Sequence, residues 1–142
     1  MKKELLDKVL IYFMITIWVL LIIATIICVY PFKIAEFENP LEVVNTDKTV
    51  KAGDLLLFNR DSEKFMDISG TVSCSFEDDI IFNIPSRISN LPIGNYDSTT
   101  SVVVPKNLPP SEYQYKCTIV YKIFGFREVT VYMNTEYFKV IE

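Results

Sequence analysis

The sequence contains no histidine, and that gap removes several kinds of chemistry. Ser-His-Asp and Cys-His nucleophile systems need an imidazole to carry the proton, and most catalytic zinc sites need one as a ligand. The three cysteines, Cys28, Cys74 and Cys117, form no Cys-x-x-Cys, which excludes zinc ribbons and thioredoxin-like redox motifs. The one tryptophan, Trp18, lies in the N-terminal apolar run, so the rest of the chain has no Trp-bearing sugar platform. No internal repeat, heptad or low-complexity segment occurs. Basic residues are also few: the net charge is -4, and from Pro31 onward eleven Lys and Arg stand against sixteen Asp and Glu. Nucleic-acid binding requires a basic stripe, and none is present. The expectation is a protein that is not an enzyme, carries no cofactor or metal and binds no nucleic acid.

What is there begins with an apolar run. Half of the 142 residues are apolar and the mean hydropathy is +0.26, which is high for a soluble domain of this size. Val9 to Tyr30 is free of charge, Gly and Pro for 22 residues. As a helix it spans roughly 33 Å, the thickness of a bilayer's hydrocarbon core. Pro31 ends it. Tyr30 and Phe32 at one end, and Tyr12 and Phe13 near the other, sit where aromatic belts form. A cleaved signal peptide has a shorter apolar region and a small-x-small cleavage site; this run is longer and no such site follows. The reading is a retained signal anchor embedded in the lipid bilayer. Lys2, Lys3 and Lys8 precede it, whereas Lys33 is followed by Glu36, Glu38 and Glu42. The positive-inside rule then places the N-terminus in the cytoplasm and the C-terminal part in the periplasm or outside the cell. Ala24 and Cys28 form a small-xxx-small pair, the kind of face through which a helix associates, here as a homo-oligomer or with another protein.

About 100 residues remain, the size of one β-sandwich. Strand-like runs recur between turn signals: LEVVN, DLLLFN after Ala52-Gly53-Asp54, TVSCSF after Gly70, DIIFNI after Glu77-Asp78-Asp79, TSVVV after Gly94-Asn95, YQYKCTIVYKIF after Pro109-Pro110, and a last run from Arg127 to Ile141, long enough to bend or be split. That makes seven. In the sixth, Tyr113, Tyr115, Cys117, Ile119 and Tyr121 share one face, and strict alternation means one buried and one wet face. In TVSCSF the inward set is Val72, Cys74 and Phe76. The expected organisation is a cytoplasmic N-terminus at 1–8, an anchor at 9–30, a linker at 31–40 and an all-β antiparallel sandwich at 41–142.

One core Cys on an early strand and a second about forty residues later, preceded by Tyr115 at minus two, resembles an immunoglobulin-like domain, in which that Tyr makes the tyrosine corner. The core Trp of antibody domains is missing. Over nearly its whole length the chain also resembles small membrane-anchored proteins encoded by tailed bacteriophages and prophages. The residues that carry this are Tyr30-Pro31-Phe32, Lys51-Ala52-Gly53-Asp54, Pro92-Ile93-Gly94, Pro109-Pro110-Ser111-Glu112-Tyr113, Arg127 and Thr135-Glu136-Tyr137-Phe138-Lys139-Val140. Ser111 stands where that pattern has Gly, and Phe124-Gly125-Phe126 where it has an Asn-Pro turn. The resemblance implies fold, anchoring and a viral source more than any activity.

Several groups are candidate sites. Cys74 and Cys117 both fall on inward faces, 43 positions apart, and in an oxidising compartment they are expected to form a disulfide, a geometry that cysteines on facing sheets near the middle of their strands could meet; two free buried thiols are the alternative. Glu77-Asp78-Asp79 has the carboxylates of a Ca²⁺ site but reads more simply as a solvated turn. Asp61, Glu63 and Asp67 offer paired carboxylates but little room for a cleft. Of the dense aromatic set Tyr113, Tyr115, Tyr121, Phe124, Phe126, Tyr132, Tyr137 and Phe138, most are expected in the core. Phe124 and Phe126 either pack beneath the sandwich or present an exposed contact for a protein partner. The functional expectation is a membrane-anchored binding or structural module, or else an accessory subunit of a larger membrane complex whose helix carries the contacts.

Overall fold

The computed structural model describes residues 2–142, with side chains from residue 4 onward. Met1 and the side chains of Lys2 and Lys3, on which the orientation reading leans, lie outside the described residues. The chain divides into two compact units, Met1–Phe32 and Lys33–Glu142.

The first unit is the helix α1, Lys2–Val29, which begins earlier than the apolar run because Lys, Glu and Leu are good helix formers. From Glu4 to Val29 it is long and apolar enough to cross a membrane, and its apolar window has no buried residue. Leu10, Trp18 and Leu20, on different sides, are all about 60% exposed. A helix apolar all round needs a membrane or a core to cover it. Its threonine hydroxyls bond within the helix: Thr16 Oγ1 donates to Tyr12 O and Thr25 Oγ1 to Leu21 O, each at 2.8 Å, the back-bonding that satisfies Thr inside a helix.

The second unit is mostly β, built from two sheets. Its strands are β1 (Ala35–Phe37), β2 (Thr49–Lys51), β3 (Leu55–Lys64), β4 (Gly70–Glu77), β5 (Ile81–Ser89), β6 (Gly94–Val103), β7 (Glu112–Ile123) and β8 (Arg127–Ile141). One sheet has the order β1-β3-β6 and the other β2-β8-β7-β4-β5. Eight strands therefore replace the expected seven, and the pairing is not wholly antiparallel, because β2 runs parallel to β8.

The N-terminal boundary also moves. The segment expected as a linker, 31–40, is part of the domain from Lys33 on: Ile34 is buried and β1 pairs with β3. Asn39 then ties the chain to the other sheet, its Oδ1 accepting from Asn134 N at 2.8 Å and its Nδ2 donating to Tyr132 O at 3.1 Å. Conversely LEVVN is not a strand. Leu41 and Val43 make isolated bridges, one to each sheet, and both side chains are buried. This stretch is the crossing between sheets, so its alternation is real but its hydrogen bonds are divided.

The core follows the alternation of β4 and β7. Phe76, Cys74, Val72 and Gly70 pair in register with Tyr115, Cys117, Ile119 and Tyr121, a continuous row of cross-strand neighbours. Tyr115 packs between Phe76 at 5.1 Å and Phe58 of the other sheet at 5.7 Å, and Phe138 closes on Phe76 at 6.1 Å. Gly70 is required here by close approach, since a Cβ would lie 2.7 Å from the Tyr121 ring and 2.8 Å from Ile119.

β8 keeps its length by means of a bulge. Its register against β7 shifts between Gln114 and Lys116, so Met133 and Thr135 point inward and then Phe138 and Val140 do. The extra residue changes the parity, as bulges do. Thr135 satisfies the irregular spot: its Oγ1 accepts from Tyr115 N at 3.1 Å and its carbonyl from Gln114 Nε2 at 2.7 Å. Tyr132 and Tyr137 are thereby left exposed, a correction to the expectation that most of the aromatic set is core.

Candidate functional site

Cys74 and Cys117 are opposite one another on adjacent strands, β4 and β7, with Cα atoms 4.1 Å apart and sulfurs bonded at 2.06 Å. The expected Cys74–Cys117 bond is present, and it joins neighbouring strands of one sheet, not facing sheets. The two inward faces belong to one sheet, and direct cross-strand partners are the closest positions two cysteines can occupy. Tyr115 likewise sits in the middle of the core and not at a corner between strands. Cys28 is a free, exposed thiol, and Ala24 one turn before it is exposed as well.

Phe124 and Phe126 do not pack beneath the sandwich. They form the tip of the β7–β8 hairpin, 59% and 67% exposed, with rings stacked at 6.3 Å. Phe124 holds a left-handed backbone at φ 54°, followed by Gly125 at φ 76°. Such a conformation is rare for a bulky residue. The three-residue connection dictates it, and it turns both rings away from the core.

The acidic candidates are spread out. Glu77 pairs with Lys116 at 2.7 Å, and that charged hydrogen bond holds its carboxyl below the usual range. Asp78 accepts from the Ser111 hydroxyl. Asp61 and Glu63 lie on the outward face of β3, while Asp67 is in the following loop. On that outward face Glu63 is directly opposite Glu36, and Asp61 directly opposite Asp97. Like charges set opposite one another cost stability, so the three-stranded sheet carries an acidic outer surface. Lys33 offsets part of it, bonded to Glu36 at 2.5 Å.

No family model matches the chain, and no curated protein matches it in sequence. The site must be read from the geometry.

A cavity of about 340 Å³ opens between the two sheets, on the side where β5 and β6 are the edges. Phe58, Val72, Ile119 and Met133 form its apolar wall. Two arginines line it, one from each sheet. Arg60 shares the inward face of β3 with Leu56 and Phe58, and Arg87 pairs with the inward Val72 from β5. Arg60 stacks over the Tyr96 ring at 5.4 Å, yet its Nε is buried without a hydrogen-bond partner. Neither arginine forms an ion pair with a carboxylate among the described residues. Nearby, Lys64 is also buried and gives its ammonium to Leu91 O. The arrangement sets an apolar wall beside two arginines without carboxylate partners among the described residues, chemistry suited to an apolar group that carries an anion.

Sequence reasoning missed this site for identifiable reasons. Arg60 and Lys64 follow the parity of Leu56 and Phe58, a signal that was legible but hidden by the expectation that charge faces water. Arg87 lies beyond Pro85, which reads as a strand end. β5 continues through it because an edge strand tolerates Pro, with the register against β4 shifting between Val72 and Cys74.

Proposed function

We propose that this chain is a membrane-tethered, non-enzymatic binding or structural module, encoded by a tailed bacteriophage or prophage, that displays an immunoglobulin-like domain on the outer side of the host's inner membrane. One observation carries the reading: a helix apolar on every side joins a domain whose two cysteines sit as direct cross-strand partners. Disulfides persist in oxidising compartments, and that supports a domain held outside the cytoplasm. The strand order supports the immunoglobulin-like assignment, with β1-β3-β6 in the places of A, B and E and β8-β7-β4 in the places of G, F and C. The cysteines depart from that pattern, since antibody domains join B to F between sheets. A partner of protein character fits the exposed Phe124 and Phe126, because aromatic anchors carry much of the energy at interfaces.

The accessory-subunit reading is favoured by one feature, the exposed Ala24–Cys28 face of the helix. Replacing residues 9–30 by an unrelated apolar helix separates the two. A display module keeps its co-purifying protein in mild detergent, and loss of that protein with the domain still folded sinks the display reading.

A further inference from the structure

The four outermost strands differ in how they are protected. β1 and β2 are three residues each. β5 is long but carries Pro85 and an irregular register opposite it. Short length, Pro and bulges are the devices that keep an exposed strand from pairing with another chain. β6 has none of them. It runs ten residues, Gly94–Val103, without Pro, Lys or Arg, and pairs with β3 in unbroken register.

The inner face of β6 matters as much as its edge. The residues opposite Leu56, Phe58, Arg60 and Ser62 are Val102, Thr100, Ser98 and Tyr96. Two of these four are small hydroxyl residues where a sandwich core takes large apolar ones. Of the two, Thr100 lines the 340 Å³ cavity, together with Val102. The sheet is also narrow, with three strands against five. Next to β6, a fourth strand would lie over the cavity.

We propose, building on the binding-module reading above, that β6 accepts an extended segment of a partner protein as the fourth strand of this sheet. Main-chain hydrogen bonds to the free edge give such a complex affinity, and alternate side chains entering pockets give it specificity. Inward side chains of the segment are apolar and fill the cavity, with one carboxylate reaching Arg60 and Arg87. Its outward side chains are basic, because the neighbouring outer surface carries Asp97, Asp61, Glu63 and Glu36. A second copy of this chain does not fit the place. Two β6 strands paired edge to edge would put more Ser and Thr over the cavity and bring the acidic outer faces together.

The test uses the full chain in nanodiscs of zwitterionic lipid and a labelled ten-residue peptide. Its inward positions are Val and Leu with one Glu, and its outward positions are Lys. A second peptide has the same composition in an order without alternation. The expected result is saturable binding at least tenfold tighter for the alternating peptide, with amide exchange slowed in residues 94–103. Thr100→Leu, which fills the cavity, should weaken that binding at least tenfold with the melting temperature retained. Hydrogen exchange on the unaltered protein tests the same strand without any substitution. Equal binding of the two peptides overturns the proposal, as does protection confined to other strands. Saturable binding of dodecanoate, with no preference between the peptides, also overturns it and makes the cavity an amphiphile site. Binding here is measured on isolated protein, so its failure is distinct from a failure of the membrane topology.

Discussion

At the scale of single residues, exposure separates two aromatic classes that composition alone merges. Tyr113, Tyr115 and Tyr121 are buried in the core, where burial raises each phenol's pKa. Phe124 and Phe126 stand at a hairpin tip. Truncating a buried Phe costs about 3–5 kcal/mol, whereas exposed positions stay within about 0.5 kcal/mol. The double change Phe124→Ser and Phe126→Ser should therefore leave the melting temperature nearly unchanged while weakening retention of a protein partner. A drop of ten degrees or more would mean that the rings hold the fold. The cysteines make the opposite prediction. Joining positions 43 apart constrains the unfolded chain by roughly 3–4 kcal/mol on the loop-entropy model, a large share of a small domain's total. Cys74→Ala with Cys117→Ala should lower the denaturant midpoint accordingly. Alkylation of the unaltered protein in native membranes should leave both residues unlabelled.

At the scale of elements, β4 and β7 are the most legible part of the sequence, because one period-two pattern decides both faces of each. Their inward sets, Val72-Cys74-Phe76 and Tyr113 through Tyr121, are the core of the structure. What period two does not reveal is which strands are neighbours. Inward parity alone therefore suggests facing sheets for the cysteine pair, although register makes the two residues adjacent. Short elements are hidden for a related reason. β1 and β2 have three residues each, too few to show a period, and the first runs straight into the polar stretch Glu38-Asn39-Pro40, which reads as a linker. In β8 the bulge reverses parity within one run, and no residue type announces it. Ion pairs between elements belong to this scale too. Glu77 bonds Lys116 from β4 to β7, and Glu136 bonds Lys48 at 2.8 Å while accepting from Val43 N. In both, the ammonium's hydrogen bond lowers the carboxyl pKa first, with Val43 N–H adding to the effect on Glu136. A carboxyl with a depressed folded pKa adds stability above its unfolded value of about 4.3 and loses it as pH falls through the folded value. With no histidine in the chain, no side chain ordinarily titrates between pH 5 and 8. The melting temperature should thus stay level from pH 8 to 5 and fall below about pH 4. Glu77→Gln with Glu136→Gln should cost at most about 1 kcal/mol per pair at pH 7 and flatten the acid decline. A transition near pH 6.5 would contradict this assignment.

At the scale of the molecule, a helix apolar on all sides and a β domain with a cysteine pair bear together on place. A helix apolar on every side is covered by a membrane or a core, disulfides persist in oxidising compartments, and the proposed display on the outer side satisfies both. The candidate site lies in the β domain, lined by two arginines and beside the β6 edge, so on the proposed topology a partner would meet it on the outer side of the membrane. The most direct measurement is protease digestion of spheroplasts carrying the full chain with a C-terminal epitope. Protease added outside should remove the epitope and the domain after Lys33, leaving a protected fragment of the helix. An epitope that survives until the membrane is lysed would place the domain in the cytoplasm and contradict a module displayed on the outer side.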